Sequence, residues 1–431
     1  MPLSLLLLPT AHTISPEDYG AAADGLTDDT VALRRACSAL GAGDTLLFRS
    51  GRTYLSGPFS LANQSNITLR IDGTIQALNM TAWPERDCAP NLLAEELPSS
   101  AGLLRTCSPF VRFSEIDGLT IMGGERGVVD GAGALWWAEH DKDPKARIFR
   151  PHLLEFNSVS RLLVDGVHTH NPPNHHLRVN DCSRVRIQRW SAYSPGAPNT
   201  DGVNFAGGFD QAVINSTVWN GDDCVTAIAS ATWPVAGGEA SPAVLWRGGS
   251  LLVQDVHCNH SHGISIGSVR HGVIRNVTVR NVTIANGENG IRIKSYPNGT
   301  GAISGISYDG VAIHNVRSPI VVDGFYCPPT QRPYPCHAGA TAVKISNVSI
   351  ANVAGDAHRG SAGYVDCDPS APCEGLVLRA VHFVAAAGQP TPLAFNCNAS
   401  DRKHACTPGC GHAHGTVEDV VPDVCVVSDA F

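Results

Sequence analysis

Four short polar clusters in this chain hold residue types that move protons or bind anions. They are Asn199-Thr200-Asp201, Asp222-Asp223-Cys224, Ser261-His262-Gly263 and Arg292-Ile293-Lys294. Three carboxylates in one place cannot all ionise easily, because repulsion raises the pKa of one member. Such a group can protonate a leaving oxygen while its ionised neighbours deprotonate water. An arginine and a lysine beside them suit a ligand that carries a carboxylate, with the arginine able to grip it in two places. Each cluster alone has a plain explanation: a solvated Asp-Asp turn, a histidine in a turn, a solvated Arg-x-Lys strand face. Together and in order they make a poor structural device and a good acid–base site for an anionic sugar.

The clusters must meet for this chemistry, yet they are far apart in sequence. Asp201 and Asp222 are 21 positions apart, Asp223 and His262 are 39 apart, and His262 and Arg292 are 30 apart. The segments between them repeat a pattern. Lines such as "SRLLVDGVHTHN", "SRVRIQRWSAYS", "QAVINSTVWNG", "GSLLVQDVHCNH" and "TAVKISNVSIANV" are short apolar alternations broken by Asn, Asp or Gly. Recurrence every ~20–40 residues marks a stacked architecture. Very short strands, no intervening helices and Asn/Gly corners predict an all-β chain, a single-stranded parallel β-helix. A β-propeller is the competing fold, but its blades run about 40 residues or more, and no WD or kelch signature is present. In a β-helix neighbouring coils lie about 4.8 Å apart. Asp201 then stacks on Asp222 and Asp223, with His262, Arg292 and Lys294 following along the same face.

Asp222 and Asp223 pose a local problem. On a regular strand they would point to opposite faces, and one charge would enter the apolar core at high cost. A bulge or turn is therefore expected there, eased by Gly221. Cys224 is placed to pin that turn to Cys258 on the next coil. Arg292 and Lys294, two residues apart, share one side of their strand.

The remaining elements frame this solenoid. The segment "DYGAAADGLTDDTVALRRACSAL" predicts one helix, capped by Thr27 or Asp28, with Val31, Leu33, Ala36 and Leu40 as its apolar side. It would close the N-terminal end. Residues 13–431 read as one β-helix domain with a cysteine-rich tail that contains Cys397, Cys406, Cys410 and Cys425. Residues 1–12, "MPLSLLLLPTAH", read as a weak or truncated signal segment without a basic start.

Composition excludes several classes. The chain is 43% hydrophobic and only 16% charged, against about 25% charged in an average domain. A net charge of −8 and no basic block argue against a nucleic-acid partner. No apolar run is long enough for a membrane span. The 14 cysteines lack zinc-site spacing, so disulfides in an oxidising compartment are expected. Ten Asn-x-Ser/Thr sequons, at Asn63, Asn66, Asn79, Asn215, Asn259, Asn276, Asn281, Asn298, Asn347 and Asn398, point the same way. The reading is a secreted, extracellular protein.

At the four clusters the sequence resembles glycoside hydrolase family 28, the polygalacturonases and their relatives, whose motifs run N-T-D, D-D-C, G/S-H-G and R-I-K. "YGAAADGLTDDT", "DGAGALWW", "RPHLLEFNSV" and "SPIVVDGFYC" extend the resemblance over residues 15 to 350 or so. It implies a right-handed parallel β-helix and inverting hydrolysis of α-1,4-galacturonosidic bonds in pectin. It implies no metal or other cofactor, and a monomer is the default for this architecture. Asp222 becomes the general acid, and Asp201 and Asp223 position and deprotonate water. His262 tunes them, and Arg292 and Lys294 bind the uronate carboxylate. Tyr326 and Asn199 are further candidate substrate contacts. The chain departs from the family at Asn174 and His175, where an aromatic is common. A long insertion between Asp223 and His262, and the forms "NGDDC" and "SHG", favour exo over endo action. Rival readings are rhamnogalacturonan or xylogalacturonan hydrolysis, a calcium-dependent pectate lyase, and a non-catalytic carbohydrate-binding solenoid.

Overall fold

In the computed structural model the described residues are 11–90, 105–142, 148–229, 250–327, 340–358, 360–389, 393–396, 412–424 and 426–428. A single 29-stranded sheet winds through them as a right-handed parallel β-helix. The inward column shows why the sequence folds this way. Val179, Phe205, Ala227, Ile266, Ile293 and Val322 lie in register on successive coils, all buried. Their outward neighbours Arg178, Asn204, Thr226, Ser265 and Arg292 form the adjacent column. A one-residue slip would exchange the two columns, so burial fixes the register. Each large apolar side chain buried this way contributes about 1.5–3 kcal/mol.

The corners explain the wealth of Asn and Gly. Asn276, Gly305, Asn347 and Gly375 occupy one corner on consecutive coils, with φ of 56, 65, 53 and 64°. A single left-handed residue turns the chain there, a conformation that Gly and Asn tolerate best. The next residue of each coil points inward and is β-branched or Leu, so Asn-x-Ser/Thr arises as a by-product at Asn276 and Asn347.

The N-terminal helix α1 covers Thr30–Ala39, with two corrections to the expectation. Its cap is Asp29, although the Asp28 carboxylate still accepts the Thr30 N–H at 2.9 Å. Asp29 instead binds the backbone N–H groups of Ala22 and Ala23, at 2.7 and 3.0 Å. Val31 is 61% exposed while Leu33, Ala36 and Leu40 are buried. Two positions before Leu33, it lies about 200° away around the helix. A second helix, α2 (Ala134–Lys142), stands where an early coil was expected; Trp136 buries its ring edge-on to Trp83, 5.7 Å away. No helix among the described residues is long and apolar enough to cross a membrane.

Disulfides join Cys88 to Cys107, Cys224 to Cys258 and Cys367 to Cys373, while Cys37 and Cys182 are buried thiols. The expected Cys224–Cys258 link therefore forms. The four C-terminal cysteines, the insertion at 230–249 and residues 1–10 of the expected signal segment lie outside the described residues. The Cys224–Cys258 bridge closes 34 positions of chain. Replacing both cysteines by serine is expected to cost about 2–4 kcal/mol, read as a lower melting temperature with the turn at Asp223 loosened.

Candidate active site

The turn that carries Asp222 and Asp223 lies between the strands Phe209–Trp219 and Val225–Ile228. It keeps both carboxylates out of the core. Gly221 matters here through close approach: a Cβ on it would sit 2.2 Å from the Ala197 carbonyl oxygen. Asn220, fully buried, ties the turn to the coil before it by donating to the carbonyls of Thr200 and Asp223 at 2.8 and 2.9 Å. Val203 pairs with Val225, which sets Asp201 and Asp223, two residues before each, at facing positions of successive coils.

All the polar clusters converge on this point. Lys294 Nζ donates to Asp223 Oδ2 at 2.7 Å, and Ser265 Oγ donates to Asp223 Oδ1 at 2.5 Å. Arg292 Nη1 lies 3.5 Å from Asp223 Oδ1. His262 Nδ1 lies 3.0 Å from Asp222 Oδ1, and its Nε2 lies 3.5 Å from Glu288. Asn199 donates to Asp222 Oδ2 at 3.2 Å and accepts from Arg150 at 2.7 Å. Both ends of the Asn199 amide are thus engaged within the protein. Tyr326 lies with its ring 5.3 Å from Arg292 Cζ and from Lys294 Nζ, and 5.6 Å from the ring of Tyr296.

Several contributors carried no signal of their own in the sequence. Ser265 lies two residues past the Ser261-His262-Gly263 cluster, and Arg150 and His152 lie inside "RPHLLEFNSV". His175 Nε2 lies 3.5 Å from Asp201 Oδ1, and its ring packs 4.5 Å from that of His152. The departure noted at Asn174 and His175 therefore falls beside the carboxylate cluster. Burial, followed by the charge of Arg178, pushes His175 down to about 3, so it is a neutral neighbour of Asp201.

The electrostatics divide the three carboxylates. Burial and the charges of Asp222 and Asp223 hold Asp201 well above the ordinary carboxyl range. Burial also acts to raise Asp222, but the hydrogen bond and charge of His262, with Lys294, outweigh it and hold Asp222 below that range. For His262 burial acts downward, and the hydrogen bond and charge of Asp222 prevail and raise it. Without substrate the site thus favours the proton on Asp201 and the charged forms of Asp222 and His262. The Asp222 contribution to stability is present above its ordinary value of 3.8 and lost as pH falls through the depressed value. The His262 contribution is present below 6.5 and lost as pH rises through the raised value. The melting-temperature difference between wild type and His262→Gln is therefore expected to peak between these two pH values.

Donor atoms of Asp222, Asp223 and His262 lie within 4.8 Å of one another, close enough for a shared cation. Their inner oxygens are already taken by His262, Lys294 and Ser265, and Arg292 adds a second fixed positive charge. A calcium ion would have to displace these partners. The arrangement suits proton transfer beside an anion.

A parallel β-helix that carries such a cluster on its outer face offers acid–base groups to a long polymer lying along the helix axis. The model of the glycosyl hydrolases family 28 matches residues 48–406, and the chain belongs to that family. It is a glycoside hydrolase. The polygalacturonase of Persea americana is 28% identical, over 88% of this chain and 76% of that protein. The polygalacturonase of Prunus persica is 28% identical, over 98% of this chain and 95% of that protein. Two solved structures share the fold. The endo-xylogalacturonan hydrolase of Aspergillus tubingensis has a TM-score of 0.70 at 22% identity, over 92% of this chain and 99% of that one. The family 28 exopolygalacturonase of Yersinia enterocolitica has a TM-score of 0.71 at 17% identity, over 97% and 78%.

Proposed function

We propose that this chain hydrolyses α-1,4-galacturonosidic bonds of pectic homogalacturonan, with inversion and with exo action favoured. The observation that carries the reading is the meeting of Asp201, Asp222 and Asp223 with Arg292 and Lys294 in one cluster. The full-length polygalacturonase relatives support the choice of backbone sugar. In this reading Asp222 protonates the glycosidic oxygen, Asp201 and Asp223 hold the attacking water, and Asp223, paired with Lys294, takes its proton. Arg292 and Lys294 take the uronate carboxylate, with Tyr326 and Asn199 beside it. The bond broken is C1–O; the proton from Asp222 goes to the leaving oxygen, and water supplies the new C1–O bond and returns a proton to the carboxylates. The disulfides and the sequons support secretion into an oxidising extracellular space.

The electrostatics of the free site favour a proton on Asp201 over Asp222, so Asp222 must gain one before it can act as the acid. Substrate brings its own carboxylate and excludes water, and both effects raise the proton affinity of Asp222. Protonated His262, 3.0 Å away, is the donor at hand. Activity is then expected to fall on the alkaline side as His262 loses its proton, at a pH above its ordinary 6.5, and His262→Gln should remove that limb from the pH–rate profile.

Inversion rests on the family resemblance rather than on spacing. One coil is about 4.8 Å, whereas the two carboxyls of a usual inverting pair stand about 6.5–9.5 Å apart. Proton NMR of the first product from a reduced oligogalacturonide tests this directly. Inversion gives the β anomer first, and the α anomer would contradict it. Following product lengths in the same reaction separates exo from endo: monomer alone from the start fits exo action, and a spread of oligomers overturns it.

A further inference from the structure

Four rings stand on successive coils outside the catalytic cluster: His170, Tyr193, Trp219 and His260. His170 pairs in register with Tyr193, and Tyr193 with Trp219. Ring centroids are 6.0, 5.5 and 5.4 Å apart in that order; the first two pairs meet edge to face, at 63° and 75°, and the last is nearly parallel at 22°. Buried ring pairs such as Phe113–Phe156 serve the core. These four face outward: Tyr193 is 45% exposed, His260 is exposed, and His170 and Trp219 are half-buried. Contiguous ring surface left open to water is a feature of interaction sites.

The row runs beside the catalytic one. Only Asn220 and Gly221 separate Trp219 from Asp222, and only Ser261 separates His260 from His262. Both rows follow the helix axis, one coil per step, so a long polymer lying along the axis can meet both. Rings spaced one per coil along one line, some edge-on and some face-on, offer a chain of sugar rings a repeated apolar contact. We propose that His170, Tyr193, Trp219 and His260 form a second carbohydrate-binding surface that holds a segment of galacturonan chain beside the catalytic groove. It holds the enzyme on the polymer without taking part in bond cleavage. The choice of galacturonan as occupant rests on the function proposed above.

The test uses the full chain with Tyr193→Ala, Tyr193→Ala/His260→Ala and, as the ring-retaining control, Tyr193→Phe. Retardation is measured in native gels that contain polygalacturonate, with Asp222→Asn in every protein to prevent turnover. Turnover of trigalacturonate is measured in parallel without that change. The alanine variants are expected to bind the polymer about fivefold or more weakly, with trimer turnover unchanged and Tyr193→Phe close to wild type. Equal retardation of all proteins overturns the proposal and leaves the rings as packing. A parallel fall in trimer turnover also overturns it, since the rings then belong to the groove. Retardation in neutral galactan but not in polygalacturonate, lost in the alanine variants, overturns the assigned occupant. If the wild type fails to cleave trimer while the alanine variants still lose polymer binding, the catalytic reading falls and this surface stands.

Discussion

Asp222→Asn is expected to lower turnover of polygalacturonate about 10³-fold, within the range usual for loss of a general acid, while leaving the fold intact. The amide keeps the shape of the carboxyl and can still meet His262 and Asn199, so the protein should still fold, with a melting temperature lowered by loss of the Asp222–His262 ion pair. The effect should depend on the leaving group. An aryl galacturonoside with an acidic phenol needs little protonation on departure, so Asp222→Asn should lose far less on it than on the polymer. Asp201→Asn and Asp223→Asn should lose as much on both substrates, because they act on water. In the unliganded site burial and the neighbouring carboxylates leave Asp201, not Asp222, raised. If Asp201→Asn is the variant rescued by the better leaving group, the acid and base assignments must be exchanged.

Lys294→Ala is the second large effect, and it reaches stability as well as activity. Lys294 and Asp223 side chains are only 7% and 4% exposed, and they pair at 2.7 Å. Removing one partner of such a pair leaves a buried charge uncompensated, at about 3–5 kcal/mol. Ser265 and the more distant Arg292 remain beside Asp223, so the cost should lie toward the lower end. Denaturant unfolding measures it. The double variant Asp223→Asn/Lys294→Ala should recover much of that stability while remaining inactive. A single variant as stable as wild type would mean that water or Arg292 already carries the charge of Asp223.

Much of this site was legible in the sequence because a β-helix converts sequence interval into axial distance. Once Asn, Asp and Gly corners between short apolar alternations identify the solenoid, residues 21 to 39 positions apart become neighbours. Asp201, Asp223 and Lys294 could therefore be brought together without coordinates, as could the Cys224–Cys258 bridge. What stayed illegible lacked that periodic anchor. The helix Ala134–Lys142 interrupts the repeat, and its two tryptophans read equally well as part of a coil. Val31 joined the apolar side of α1 on residue type, although its angle around the helix turns it to solvent. Arg150, His152 and His175 reach the cluster from earlier coils through side-chain contacts that spacing does not encode. The resting place of the proton depends on burial, which a sequence does not state: repulsion predicted one raised carboxyl, and the depth of Asp201 with the His262 contact to Asp222 decided which.

The most direct measurement is the release of reducing ends from polygalacturonate in the presence of chelator, with wild type and Asp222→Asn side by side. The wild type should release reducing ends steadily with no unsaturated product, and the variant should lose nearly all release. Release that stops in chelator, or products that absorb in the ultraviolet as unsaturated sugars, would contradict it and turn the same carboxylates into a metal-dependent lyase site.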